Sequence, residues 1–250
     1  CTIEMFSSEL KKIIRMQLSQ VCHGLSDSES ERISYNYKST LNEFLDRYNS
    51  KKHTLKIGML GELLTHILLL NYFDDFDTVS PYFNLEEKSI KKGFDLVLFN
   101  TENNDIWITE VKSGQLHKDR NSTETTHDLL GTGKRDLKKR LNENNLTLWK
   151  NAITGAKTTL EKYSNKKDVV KSILEDIQDT TVEQKATSAD KNIILVSLLF
   201  DKLDEPIDKK IVNDFYFNLR KKNIFNQEII FSIHKETFKK IEGFLIRESL

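Results

Sequence analysis

The stretch GFDLVLFNTENNDIWITEVKSG, residues 93–114, decides the fold. Two runs rich in β-branched and aromatic residues flank the polar turn TENN, the pattern of a β-hairpin. Side chains alternate across a strand, so Ile106, Ile108, Glu110 and Lys112 share one face, and Trp107, Thr109 and Val111 share the other. Asp95 opens the first run and Glu110 closes the second, and in an antiparallel hairpin those ends are neighbours. Counting across the turn sets residue 95 opposite residues 109–111, so Asp95 and Glu110 converge. Two carboxylates at one point repel unless a proton or cation lies between them. Oxygen donors suit Mg²⁺ or Mn²⁺, ions that keep waters and accept phosphate oxygens. Lys112, on the same face as Glu110, is placed to steady charge on a phosphate or on a metal-bound water. The chemistry these residues fit is metal-assisted phosphodiester hydrolysis.

The flanking sequence predicts an α/β chain. Leu10, Ile13, Ile14, Leu18 and Val21 make a helical stripe, with a helix expected over residues 3–22. LSDSESERISYN reads as a loop and KSTLNEFLDRYN as a short amphipathic helix. LKIGMLGELLTHILLLNYF is apolar on nearly every side and predicts a buried helix. Gly58 and Gly61 in it would allow close approach to a sheet at some cost in helix propensity. DTVSPYF predicts an edge strand because it carries a proline. Helical stripes fill the mixed-charge region from about 120 to 178, followed by the polar connector DTTVEQKATSAD. KNIILVSLLF predicts a buried parallel strand. A helix (IVNDFYFNLRKK), a strand (NQEIIFSIH) and a closing helix complete the chain. The order implies a mixed β-sheet flanked by many helices. Residues 1–50 are expected as an N-terminal helical segment packed on the core, and 51–250 as the catalytic domain.

Composition narrows the classes. Lys plus Arg and Asp plus Glu both number 38, which argues against a strongly basic stand-alone nucleic-acid binder while leaving room for a local patch. Two cysteines make neither a disulfide framework nor a zinc site and imply a reducing, intracellular compartment. No apolar run reaches the roughly 18 residues that span a bilayer. No apolar segment follows a basic start, so no signal peptide is expected. The chain opens at Cys1 rather than Met, so a start that is processed, missing or numbered otherwise is expected. GTGKRDLKKRL is not a phosphate loop: residue 128 is not glycine and Arg135 replaces the Ser or Thr. Lys134, Arg135, Lys138, Lys139 and Arg140 read as a basic face at a helix start, either simply solvated or contacting a phosphate backbone. Lys91, Lys92, Lys118 and Arg120 flank the hairpin and would extend that track. Gln115 and His117 follow Lys112 closely, whereas His23, His53, His66, His127 and His234 have no ligand spacing; His66 lies one turn from Glu62.

Asp95 followed fifteen positions later by EVK resembles the PD-(D/E)XK nuclease superfamily. Phe94 stands where the superfamily's name has proline. The resemblance implies a restriction-endonuclease-like domain and an acid from a preceding helix, which GELLTHILL supplies as Glu62. It implies that Glu62, Asp95, Glu110 and the backbone carbonyl of Val111 hold Mg²⁺, and that Lys112 orients the attacking water. GELLTHILL, KGFDLVLF and WITEVKSG in this order further resemble the HamA family, nuclease subunits of Hachiman anti-phage systems. That resemblance implies a DNA substrate, a HamB-like helicase partner and a bacterial cytoplasmic location. A restriction-type endonuclease or other defence effector, and an RNA substrate, fit the same motif. So does a non-catalytic assembly or regulatory subunit of a helicase complex. The bland alternative is that Glu110 and Lys112 form a surface ion pair on an edge strand.

Overall fold

A computed structural model describes residues 1–83, 93–116, 118–236 and 238–250. The hairpin forms: β3 (Leu96–Asn100) pairs antiparallel with β4 (Ile106–Gln115), in the register Leu96↔Thr109 through Phe99↔Ile106. One step beyond that register sets Asp95 level with Glu110. β2 (Phe76–Thr78) adds to the outer side of β3. On the inner side β4 pairs parallel with β5 (Asn192–Phe200), and β5 with β6 (Gln227–Lys235). A two-residue strand, β1 (Thr2–Ile3), closes the far edge against β6. Among the described residues the sheet is therefore mixed and six-stranded, in the order β1-β6-β5-β4-β3-β2. β4 lies inside it, which removes the edge-strand account of Glu110 and Lys112.

Each face of the sheet carries its own apolar cluster. On one face pack α1 (Ser8–His23), α3 (Tyr37–Asn49), α4 (His53–Tyr72) and α9 (Phe238–Ser249), against Leu96, Leu98, Trp107 and Val111. On the other lie α5 (Ser122–Asn142), α6 (Leu146–Thr159), α7 (Ser164–Val182) and α8 (Lys209–Lys221), against Val97, Ile106, Ile108 and Leu195. The alternation read from the hairpin thus decides which helix layer each residue meets. β5 is buried at every position, as expected of a strand covered on both faces. α4 is buried from Leu63 through Leu69, so a helix apolar on all sides is one sandwiched between the sheet and other helices.

Several boundaries differ from the sequence reading. The first helix begins at Ser8 because the Ser7 side chain caps it by accepting from the Leu10 amide. The chain ahead of that cap is extended and supplies β1. The expected loop 25–36 contains a short helix, α2 (Leu25–Ser28), and a 3₁₀ turn at Ile33–Tyr35. The DTVSPYF strand shrinks to Phe76–Thr78 and does hold a sheet edge, with Pro81 beyond it. α7 runs on through Val182 into the polar connector, because Val170, Leu174 and Thr181 keep one side buried. Of the two α4 glycines, only Gly61 is needed for close approach. A Cβ there would sit 1.7 Å from Ser113 Oγ and 2.6 Å from Ser113 Cβ, whereas one at Gly58 would meet nothing within 4 Å. Among the described residues no helix is long and apolar enough to cross a membrane.

Candidate active site

Glu110 and Lys112 project from β4 beneath α5. A Cβ on Gly133 would touch the Cγ atoms of Lys112 and Glu110 at 3.4 and 3.6 Å, which locates that helix over the pair. Asn121 and Glu124 fix where α5 starts. The Asn121 side chain accepts from the Glu124 amide at 2.8 Å, and Glu124 accepts from the Asn121 amide at 3.1 Å. The sequence reading placed the basic face at a helix start, but residues 134–140 lie in the second half of a helix that begins at Ser122.

Glu110 is 1% exposed and its charge is matched on both oxygens. Lys112 Nζ lies 2.9 Å from Oε1, and the Arg140 guanidinium pairs with Oε2. Lys112 also lies 2.8 Å from Asp136 Oδ2, and Arg140 donates to the Gly93 carbonyl at 3.0 Å. Two acids and two cations thus alternate across the β4–α5 contact. A carboxylate this deep is stable only when so paired, because an isolated buried charge costs several kcal/mol. Asp136, on the same side of α5 as Gly133, is a member that sequence reasoning missed, and Arg140, read from the sequence as part of the basic face, turns instead to Glu110. Their spacing of three and four residues marks one helical face, and the run of neighbouring basic residues masked it.

Asp95 lies where the hairpin opens. Its Oδ2 accepts a 2.7 Å hydrogen bond from the Val111 amide. In an antiparallel pair the N–H and C=O of one residue point to the same neighbour, and ladder pairing ends at Leu96↔Thr109. The Val111 carbonyl therefore opens toward Asp95. Glu62, partly buried on α4, joins Asp95 in acting on Tyr82. Burial pushes the Tyr82 hydroxyl well above the usual tyrosine range, and the charges of Glu62, Cys22 and Asp95 add to the push. That hydroxyl donates to the Met59 carbonyl at 3.1 Å. His66, one turn beyond Glu62, lies 3.0 Å from Thr78 Oγ1 through Nε2.

Asp95 thus pairs with the Val111 backbone, Glu110 with Lys112 and Arg140, and Lys112 also with Asp136, while Glu62 stands on α4, on the sheet face opposite α5. The oxygen donors of Asp95, Glu110, Glu62 and Val111 suit a hard divalent ion. Among the described residues, though, no three His, Cys, Asp or Glu side chains are grouped to hold a metal. Glu110 is turned to cations of the protein instead.

The flanking candidates divide. Lys118 and Arg120 are exposed, and Arg120 lies 3.7 Å from Asp128. Arg135 donates to Thr132 Oγ1 at 3.0 Å, Lys139 lies 3.8 Å from Glu143, and Lys138 is exposed. Lys134 is partly buried, 5.7 Å from the Phe215 ring centroid. Gln115 is exposed and within 3.2 Å of the His53 ring. Lys91, Lys92 and His117 lie outside the described residues.

The fold and site define an α/β protein whose interior hairpin strand carries a buried acid paired with a half-buried lysine, beside a strand-initial aspartate. A family model described as HamA matches residues 4–247, and the chain belongs to the HamA family. This makes it a component of Hachiman-type anti-phage defence. Comparison with curated proteins and with solved structures returned no match.

Proposed function

We propose that this chain is a metal-dependent endonuclease of the PD-(D/E)XK type, cutting DNA within a Hachiman-type complex that contains a helicase. The observation that supports it is the buried Glu110 paired with the half-buried Lys112 on an interior strand, with Asp95 drawn to the Val111 backbone one position away. A surface ion pair needs no such burial of its acid, and taking a carboxylate this deep out of water costs several kcal/mol before its partners offset it.

Asp95, Glu110 and the Val111 carbonyl would hold Mg²⁺ or Mn²⁺, and Glu62, carried by α4 on the sheet face away from α5, would have to reach them around the open end of the hairpin. Such an ion, when bound, supplies Lewis acidity and lowers the pKa of a coordinated water. The chain's own residues do the rest. Lys112 keeps a positive charge at the site and orients the attacking water as phosphorane charge develops. Asp136, 2.8 Å away, holds the lysine in place until an oxyanion competes for it. Arg140 neutralises Glu110 at rest and must yield that carboxylate for a metal to bind, so the resting arrangement is a closed one. A partner helicase that loads DNA would supply the phosphate charge that draws Arg140 away.

The same four-residue network supports a second reading. Charges that fully satisfy one another can be structural, which would make the chain a non-catalytic subunit of a helicase complex. Plasmid and linear DNA cleavage with Mg²⁺ separates the two, using the chain alone and with its co-purifying partner, wild type beside Lys112→Ala. Metal-dependent cutting that drops at least about a hundredfold in the variant upholds the nuclease, since electrostatic groups of this kind contribute on the order of 10²–10³. Equal activity in wild type and variant, or no cutting of DNA or RNA with either metal, refutes it.

A further inference from the structure

A second charged feature lies on the other side of α5, away from Glu110. α5 and α8 diverge around a cavity of about 580 Å³. Lys134 and Arg135 line it from α5, Asn218 from α8, and Lys222 from just beyond α8. Phe215, 8% exposed, forms an apolar wall, and Asp214 is the acid on the rim. Lys134 is pressed by its neighbours: burial first, then Lys222, Arg135 and Lys138, pull its ammonium below the usual lysine range. Cations gathered at a partly apolar wall repel one another at reduced dielectric, and an anion seated among them relieves that cost.

The cavity does not end there. A shallower depression shares Arg135 and continues along α5 past Lys138, Lys139 and Asn142, with Glu143 at its end. Residues 134 and 138 are about 6 Å apart along the helix axis at 1.5 Å per residue. Two contiguous cation-lined depressions fit a chain of phosphates better than a single one. The opposite side of the same helix, at Gly133, Asp136 and Arg140, covers Glu110 and Lys112.

We propose that the α5–α8 cavity binds a backbone phosphate of a nucleic-acid strand through Lys134, Arg135 and Lys222, and that the strand runs on over Lys138 and Lys139. This rests on the reading that nucleic acid is the substrate, and it adds α8 to the surface that holds it. Lys222 carries the strongest test, because nothing in the α5 sequence pattern points to it.

The test is fluorescence anisotropy of labelled single- and double-stranded oligonucleotides with the full chain in EDTA, across a salt series. Lys134→Gln/Lys222→Gln is compared with wild type and with Lys134→Arg/Lys222→Arg. The glutamine variant should bind at least about tenfold more weakly. The slope of log affinity against log salt should fall by about one to two, and the arginine variant should keep wild-type behaviour. Unchanged affinity and slope in the glutamine variant overturn the proposal. So does a wild type that binds neither oligonucleotide. Mg²⁺-dependent cleavage is read in parallel on wild type and Lys112→Ala. Pocket-dependent binding without any cleavage sinks the nuclease reading and keeps the pocket; Lys112-dependent cleavage with pocket-independent binding does the reverse.

Discussion

Arg140→Ala tests the resting site most directly. The substitution strips the guanidinium from Oε2 of a carboxylate that is 1% exposed. Removing one partner of a buried pair costs about 3–5 kcal/mol. Two features reduce that here: Arg140 is itself 25% exposed, and Lys112 remains 2.9 Å from Oε1. We therefore expect ~2–3 kcal/mol of destabilisation by the same principle. For a chain of 250 residues, each kcal/mol lowers Tm by roughly 2–4 °C, so the fall should be about 4–12 °C. Calorimetry or a circular-dichroism melt reads it. The double variant Glu110→Gln/Arg140→Ala removes the charge that needs Arg140, so its loss should be at least about 1 kcal/mol smaller than the sum of the single losses. A Tm fall under about 1 °C, or an additive cycle, refutes the claim that Arg140 neutralises Glu110.

Three further outcomes follow from the same contacts. Mg²⁺ should raise the Tm of Arg140→Ala more than that of wild type, because the guanidinium no longer competes for Glu110; saturating a site at about 100 times its Kd adds about 2.7 kcal/mol, and equal shifts in both proteins would count against the closed resting state. Gly61→Ala drives a Cβ to 2.6 Å from Ser113 Cβ and should cost about 1–3 kcal/mol by overpacking, with part of the loss recovered in Gly61→Ala/Ser113→Gly; a neutral Gly61→Ala in urea unfolding would show that α4 can move. Burial holds the His23 ring below the usual histidine range, against smaller opposing pulls from Glu43 and Asp27. The unfolded chain then takes up the proton first, so stability falls as pH drops through about 6.5. His23→Asn should flatten the fall between pH 7 and 5 in urea titrations, and parallel profiles would refute the assignment.

The sequence by itself determined the elements whose signal is local. Strict alternation in 106–112 put Glu110 and Lys112 on one face, and the turn length put Asp95 level with Glu110; both hold because side-chain direction in a hairpin follows from residue count alone. An unbroken apolar run likewise specified β5 as a covered interior strand, and the apolar α4 as a sandwiched helix. Tertiary structure alone decided what lies against those faces. Helical periodicity says that residues 133, 136 and 140 share a side, but not that this side covers Glu110, so Asp136 went unread and Arg140 was grouped with its four basic neighbours, Lys134, Arg135, Lys138 and Lys139. The same limit separates Gly61 from Gly58: both cost helix propensity equally, and only the position of Ser113 on β4 makes one of them necessary. β1, two residues long, had too few positions to show any period and exists because β6 offers an open edge. Lys222 belongs with Lys134 only through the packing of α8 on α5, since residues 88 positions apart have no shared pattern to read. Pattern fixes direction, and packing fixes partners, because burial and charge pairing depend on distances between elements that the chain order does not encode.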